Sequence, residues 1–357
     1  MTGGLVLTGL GLVLPCGDGI DAAQASLRSG APCFAELPGA LGRGRGAACA
    51  GFNPAGIIPP MQLRRLDRCS RFAWGAAHQA FADAGLDPRP MGERLAVAVG
   101  TLTGGSEATE GFLRPYLQRG PEGASPMLFP NSVANAASGH LAQAFGLKGP
   151  SATFLEREGA TFAALEQGAR WLRTGMAEAA LIVGTDGLFP LLMEICRGAR
   201  LLARQGDPVP GSRRGFLPGE GAQAFLLETR GRAEARGARI RATLGAVAAA
   251  PALENTAMAR AEALAEAAER VLAGTTPDHW IGGSSGSPRL DSSEAALRRA
   301  RPAWPDPIRP KALWGEFAGA GGPLLAAALL EPAARVLVTA PASFGPQYAA
   351  VLEGVRL

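Results

Sequence analysis

One turn in this chain has the composition of a place where chemistry is done. Residues 149–165 read GPSATFLEREGATFAAL. The apolar and β-branched run from Ser151 to Leu155 stops at Glu156, Arg157 and Glu158. Gly159 then opens a small-residue, apolar stretch through Leu172 that has to pack as a helix. A buried strand turning sharply into a helix lifts one side chain above the end of a sheet, beside the positive end of the helix dipole. Enzymes place nucleophiles at such corners, and the side chain here is the carboxylate of Glu158. The other chemistry-bearing residues are less pointed. Cys16, Cys33, Cys49, Cys69 and Cys196 are scattered, with no C-x-x-C pair and no metal spacing, and none sits at a strand–helix corner. They read as free thiols in a reducing compartment, packed as small apolar side chains. His78 and His140 fall on helical stretches, where a structural histidine outweighs a ligand or a base.

The elements that would position Glu158 follow from periodicity. Leu5–Leu14 is a β run interrupted by glycines, Leu95–Gly100 and Ala179–Asp186 are buried strands, and the span from Met61 to Gly85 predicts one helix closed by a C-cap glycine. Residues 30–60 are rich in Gly, Pro and Arg and read as irregular surface. The composition turns Arg- and Gly-rich over Thr229–Arg239, and a second strand–helix series follows. It comprises a strand at Ile240–Ala249, a helix at Asn255–Leu272 with Met258, Ala261, Leu264, Ala268 and Val271 on one face, and a short strand at Trp280–Gly282. Helices at Asp291–Ala300 and Gly319–Leu330 and strands at Val336–Thr339 and Tyr348–Leu352 complete it. Alternating strands and helices with buried parallel strands imply an α/β fold with helices on both faces of the sheets.

The bulk numbers exclude several classes. With 357 residues, 47% apolar and 18% charged, the chain is globular rather than disordered. Aromatics are only 6% while alanine and glycine dominate, so the core is built by close approach of small-faced elements. Thirty-five Lys and Arg against 31 Asp and Glu give +4, with the two signs interspersed, which suits an acidic protein partner rather than nucleic acid. No apolar run is long enough to span a membrane, and no basic leader with a cleavage site opens the chain. Cytoplasmic localisation is the expectation, and neither cofactor nor metal is expected.

The stretch around Glu158 resembles the nucleophile turn of the β-ketoacyl synthases, the condensing enzymes of fatty-acid and polyketide synthesis. Gly149-Pro150, nine residues upstream, and Trp171-Leu172-Arg173-Thr174-Gly175 downstream put Glu158 at the position of the family's cysteine. Other segments carry the same resemblance. Phe129-Pro130-Asn131 with Asn135 and Gly139 is similar to F-P-N-x-x-x-N-x-x-x-G, and residues 215–228 (GFLPGEGAQAFLLE) are similar to the family's G-F-V-x-G-E-G-A segment. By that resemblance Glu220 is structural, and Phe129, Asn131 and Asn135 lie at a subunit interface beside the active site. The implied fold is thiolase-like, five layers αβαβα from two duplicated halves, 1–236 and 237–357.

The resemblance also locates two catalytic histidines. The H-G-T-x-T-P-x-x-D-x-x-E motif corresponds to GSSGSPRLDSSE, where Pro288, Asp291 and Glu294 place Gly283 at the histidine, or Ser284 with a one-residue slip. The K-S-x-x-G-H-x-x-G-A-A-G motif corresponds to KALWGEFAGAGG, held in register by Lys311, Gly315, Gly319, Ala320 and Gly322, with Glu316 at the histidine. The G-F-G-G loop becomes Ser343-Phe344-Gly345 followed by Pro346-Gln347-Tyr348. A carboxylate cannot carry the acyl chain as a thioester, and no imidazole supports it. The pattern resembles the chain-length factors, non-condensing partners of ketosynthases. The expectation is therefore a subunit that pairs with an active β-ketoacyl synthase, as a heterodimer or alternatively a homodimer, and meets an acyl carrier protein. Glu158 would be neutralised by the helix dipole and by Lys311 or Arg157, with Lys311 closing an ion network between both acids. The alternative is an enzyme using Glu158 and Glu316 as an acid and a base on an acyl thioester, as hydrolase, acyltransferase or decarboxylase.

Overall fold

The computed structural model describes residues 4–203, 215–317 and 321–357. Its first strand, β1 (Leu5–Leu14), is buried at every position, as an apolar run without polar alternation requires. The chain continues through β2 (Gly17–Asp18), α1 (Ile20–Ser29), β3 (Ala35–Glu36), β4 (Arg45–Gly46), α2 (Pro60–Leu63), α3 (Arg68–Ala84), β5 (Leu95–Gly100) and α4 (Ser106–Arg119). Then come α5 (Ala136–Phe145), β6 (Ser151–Phe154), α6 (Ala160–Arg173), β7 (Ala179–Asp186), α7 (Pro190–Gly198), β8 (Gly221–Thr229) and α8 (Arg230–Ala235). The remainder is β9 (Ala242–Pro251), α9 (Ala257–Leu272), β10 (His279–Ile281), α10 (Pro288–Ala300), α11 (Lys311–Trp314), α12 (Gly322–Leu330), β11 (Arg335–Ala340) and β12 (Pro346–Glu353).

The main strands run in the order β10-β11-β12-β9-β1-β8-β7-β5-β6. On one side of the β1–β9 seam, β1, β8 and β7 are antiparallel neighbours, and β7, β5 and β6 are parallel. The other side repeats this, with β9, β12 and β11 antiparallel and β11 and β10 parallel. The counterpart of β6 is reduced to one parallel bridge between Ile281 and Ile308. Helix α3 covers β1 and β8 on the outside, and α9 covers β9 and β12. Between the two strand sets lie α6, against β5 and β7, and α12, against β11 and β8. The result is the layered, internally repeated α/β architecture that the resemblance implied. Three residue pairs, Leu5–Leu7 with Ala242–Leu244, join the sets edge to edge.

Two expectations are corrected. The span from Met61 to Gly85 is two helices, because the Asp67 carboxylate accepts from the Ser70 amide at 3.0 Å and starts α3 afresh. On α9 the buried stripe runs through Arg260, Ala263, Leu264, Ala267, Ala268 and Val271, while Met258 is 72% exposed. At about 100° per residue Met258 rotates out of the stripe that faces the sheet. The first residues of the expected helix at Gly319 lie outside the described residues. No helix among the described residues is long and apolar enough to cross a membrane.

Glycine matters most where β5 meets the start of α6. A Cβ on Gly100 would come within 2.4 Å of the Ala160 carbonyl carbon and 2.5 Å of the Thr161 nitrogen, so only a bare backbone lets the helix start this close to the strand. Gly100→Ala is expected to cost about 1–3 kcal/mol of folding stability by overpacking, read as a lower urea midpoint; an unchanged midpoint would mean that the two elements separate easily.

Candidate functional site

The strand–helix corner is held by the far end of the chain. Between β6 and α6, Arg157 adopts φ 52°, a left-handed conformation that costs a non-glycine residue energy. Contacts from the far end of the chain and from α10 hold the turn on both sides. The Arg157 guanidinium lies 5.0 Å over the Phe344 ring, and the Arg289 guanidinium lies 5.1 Å from the same ring. Glu156 accepts from the Tyr348 hydroxyl. Gly159 fits beneath the Tyr348 ring, where a Cβ would stand 2.5 Å away. Glu158 itself is 7% exposed. Its Oε1 accepts from Ser343 Oγ at 2.5 Å, and Oε2 accepts from the Ser343 amide at 3.3 Å.

The second acid has its own partner. Lys311 Nζ donates to Glu316 Oε1 at 2.6 Å, with the two side chains 1% and 3% exposed. Gly315, at φ 86°, turns the chain at the end of α11 so that Glu316 points back at Lys311. Burial raises the Glu316 pKa above its ordinary value of 4.5; the Lys311 charge opposes the shift and the Glu158 charge adds to it. Glu316 Oε2 makes no hydrogen bond of normal geometry, although Ser285 stands close by. Gly321, the N-cap of α12, packs so tightly that a Cβ would lie 2.6 Å from the Glu158 carbonyl oxygen. The two acids thus precede the two central helices, α6 and α12, at related places in the repeat. The expected ion network is corrected in one respect: the described Lys311 bond goes to Glu316, and the described Glu158 bonds come from Ser343.

The position matched to the other histidine is closed. A Cβ on Gly283 would stand 2.5 Å from Pro341 Cδ, so a side chain does not fit without moving that proline. The alternative, Ser284, donates its hydroxyl to Glu294 Oε2 at 2.5 Å. Glu294 also accepts the amides of Gly283 and Ser284, at 2.8 and 3.1 Å, and the Thr339 hydroxyl at 2.7 Å. Asp291 takes the amides of Ser285 and Gly286 at 2.9 and 3.1 Å. Two acids on the first turns of α10 therefore tie down the loop before it, in keeping with the dipole at that helix end.

None of the remaining candidates makes a described hydrogen bond to either Glu158 or Glu316. Asn131 is buried; its amide donates to the Arg65 carbonyl, which leaves Oδ1 to accept from His140 Nε2 at 2.7 Å. Burial lowers the His140 pKa, consistent with a neutral structural imidazole. Phe129 is 61% exposed and packs tilted against Phe112, ring centroids 5.5 Å apart. Asn135 is exposed and makes no side-chain cap on α5. Phe344 is 42% exposed at the mouth of the corner. Glu220 is fully buried and accepts from Arg68, from the Cys49 amide at 2.9 Å and from the Leu188 amide at 3.0 Å, a structural hub. Sequence reasoning did not single out Ser343, Pro341, Glu156 or Tyr348 as partners of the site.

Fold and corner together define a thiolase-like protein. The sequence profile described as "Beta-ketoacyl synthase, N-terminal domain" matches residues 4–233, and the chain belongs to the β-ketoacyl synthase family. It is 30% identical over 249 residues to 3-oxoacyl-[acyl-carrier-protein] synthase 2 of Synechocystis sp., a match covering 66% of this chain and 60% of that protein. It is 30% identical over 253 residues to the synthase of the same name from Coxiella burnetii, covering 67% and 61%. The matched region thus spans about three-fifths of these relatives. Among solved structures, the ishigamide ketosynthase/chain length factor superposes with a TM-score of 0.85 at 23% identity, covering all of both chains. A β-ketoacyl synthase from Burkholderia phymatum gives 0.85 at 20% identity over 99% of this chain and all of that one.

Two outcomes follow from the buried pair. Lys311→Met leaves Glu316 buried without its cation and is expected to cost about 3–5 kcal/mol in urea unfolding, most of it recovered in Lys311→Met/Glu316→Leu. In its pH dependence, a carboxyl whose folded pKa is raised stabilises fully below its unfolded pKa and loses that contribution as pH rises through the folded value. Wild-type stability is therefore expected to fall on raising the pH from about 4.5 through the elevated pKa of Glu316, and Glu316→Gln to flatten that part of the profile. A Gln variant with an unchanged profile would assign the titration elsewhere.

Proposed function

We propose that this chain is a non-condensing, chain-length-factor-like subunit that pairs with an active β-ketoacyl synthase and shapes the pocket into which an acyl chain grows. The observation that carries the reading is the buried carboxylate at the corner: Glu158 is engaged by Ser343 where a condensing enzyme needs a free thiolate. The other two positions point the same way, since Glu316 is committed to Lys311 and Gly283 faces Pro341 without space for an imidazole. Decarboxylation and enolate stabilisation have no neutral donor of the usual kind there. In this reading the chain divides into halves 1–236 and 237–357, and the partner docks along residues 128–148. That segment borders β6, the end strand of the sheet, and its surroundings expose Leu117, Phe129, Val133 and Leu155. An acyl carrier protein is the third component. A net charge of +4 suits an acidic carrier, and one superposing structure, at TM-score 0.80, is of a type II PKS acyl-carrier protein in complex with its ketosynthase.

A competing reading has one observation in its favour: burial, with the Glu158 charge adding to it, shifts Glu316 up, as for the acid of an acid–base pair. Coexpression separates the two. With a ketosynthase encoded beside it, the chain is expected to copurify as a stable heterodimer, and Glu158→Ala is expected to keep the pair active with a modest change in product length. A homodimer beside a ketosynthase that works alone would contradict the proposal.

A further inference from the structure

A cavity opens beside the first turns of α3. Its volume is about 630 Å³, within the usual size range of small-ligand pockets, and none of Glu158, Lys311 and Glu316 lines it. Four arginines, Arg64, Arg65, Arg68 and Arg71, share the lining. Arg68 is already matched. Its fork donates to Glu220, with Nε 2.6 Å from Oε2, and its guanidinium lies 5.0 Å over the Phe72 ring. Arg71 commits only Nε, to the Leu66 carbonyl at 3.0 Å. Arg64 and Arg65 are exposed, and among the described residues neither they nor Arg71 pair with a carboxylate. Two acids face the same space. Asp67 Oδ1 accepts the Ser70 amide at 3.0 Å and Glu107 Oε2 the Arg68 amide at 2.9 Å, which leaves the second oxygen of each without a described bond. The apolar wall is Phe52, which meets Phe72 edge to face at 5.5 Å. It rests on α3 where Gly75 leaves room; a Cβ there would stand 2.7 Å from the ring.

We propose that this cavity is a nucleotide site. The phosphate takes the uncommitted N–H groups of Arg64, Arg65 and Arg71, the base lies against Phe52, and ribose hydroxyls or a base amino group donate to Asp67 and Glu107. Guanidinium groups suit a phosphate because their paired N–H bonds match its oxygens, and the three unpaired arginines outnumber the two acids. A fatty carboxylate fits less well. It brings no donor for Asp67 and Glu107, and its alkyl chain would lie against their charges. Inorganic phosphate alone would leave Phe52 uncovered. None of the acids at the corner takes part, so occupancy here and the pairing proposed above can fail separately.

The test is isothermal titration of the intact wild-type chain with AMP, GMP, CMP and UMP, with adenosine, inorganic phosphate and octanoate as comparison ligands. At least one nucleotide is expected to bind about tenfold or more tighter than each comparison ligand, and to weaken as salt is raised. Arg71→Ala and the charge reversal Arg64→Glu are each expected to weaken that nucleotide by about tenfold. Arg64 is exposed and its side chain makes no described bond, so its variant reads the site even if Arg71→Ala, which frees the Leu66 carbonyl, fails to fold. Nucleotides that bind no tighter than phosphate or adenosine overturn the proposal. So does octanoate binding tighter than every nucleotide, or a nucleotide whose affinity Arg64→Glu leaves unchanged.

Discussion

Two carboxylates and one ammonium are buried between the strand sets, and the surrounding structure has to compensate them. Removing a carboxylate from water costs several kcal/mol unless hydrogen bonds and opposite charge replace the lost solvation. Here the compensation is divided. Glu316 takes the whole Lys311 ammonium at 2.6 Å. Glu158 takes a hydroxyl and an amide from Ser343 and sits at the positive end of α6. The Glu158 corner lies where backbones approach closely, β5 to α6 at Gly100 and α12 to the corner at Gly321.

The same division bears on chemistry. An acid–base pair works when its members can exchange protons with a substrate. Glu316 is raised in pKa but faces its own lysine, and Glu158 is satisfied by a residue 185 positions later in the chain. The loop that supplies Ser343 also supplies Phe344, clasped between Arg157 and Arg289. Corner, loop and α10 thus form one interlocked unit across the repeat. On the proposed reading, such a unit would keep the shape of a condensing site with structural bonds at its reactive positions.

Much of this was legible in the sequence because it is local. The strand ending at the corner and the small-residue helix after it are written in residues 151–172, and β6 and α6 lie there. Glu316 sits five residues after Lys311, so their pairing needs only the turn at Gly315. What was not legible is long-range. Nothing near Ser343 announces that it faces Glu158, a contact that depends on how the two strand sets meet, and nothing near Gly283 announces Pro341, which the chain brings back only after α10, α11, α12 and β11. The start of α3 was missed for a different reason. The apolar spacing runs on across residues 61–85, and the break is made by the single capping side chain of Asp67. On α9, hydrophobicity alone put Met258 on the buried face, whereas the face is set by contact with the sheet.

The central claim is that the occupied acids do no chemistry of their own. It is tested most directly by the turnover of malonyl and acyl thioesters of a carrier protein by the purified chain alone, with the Glu158→Ala and Glu316→Gln variants measured alongside. The account predicts release of carbon dioxide and free acid at the rate of a protein-free control for all three proteins. Turnover by the wild-type chain that disappears in either variant would contradict it.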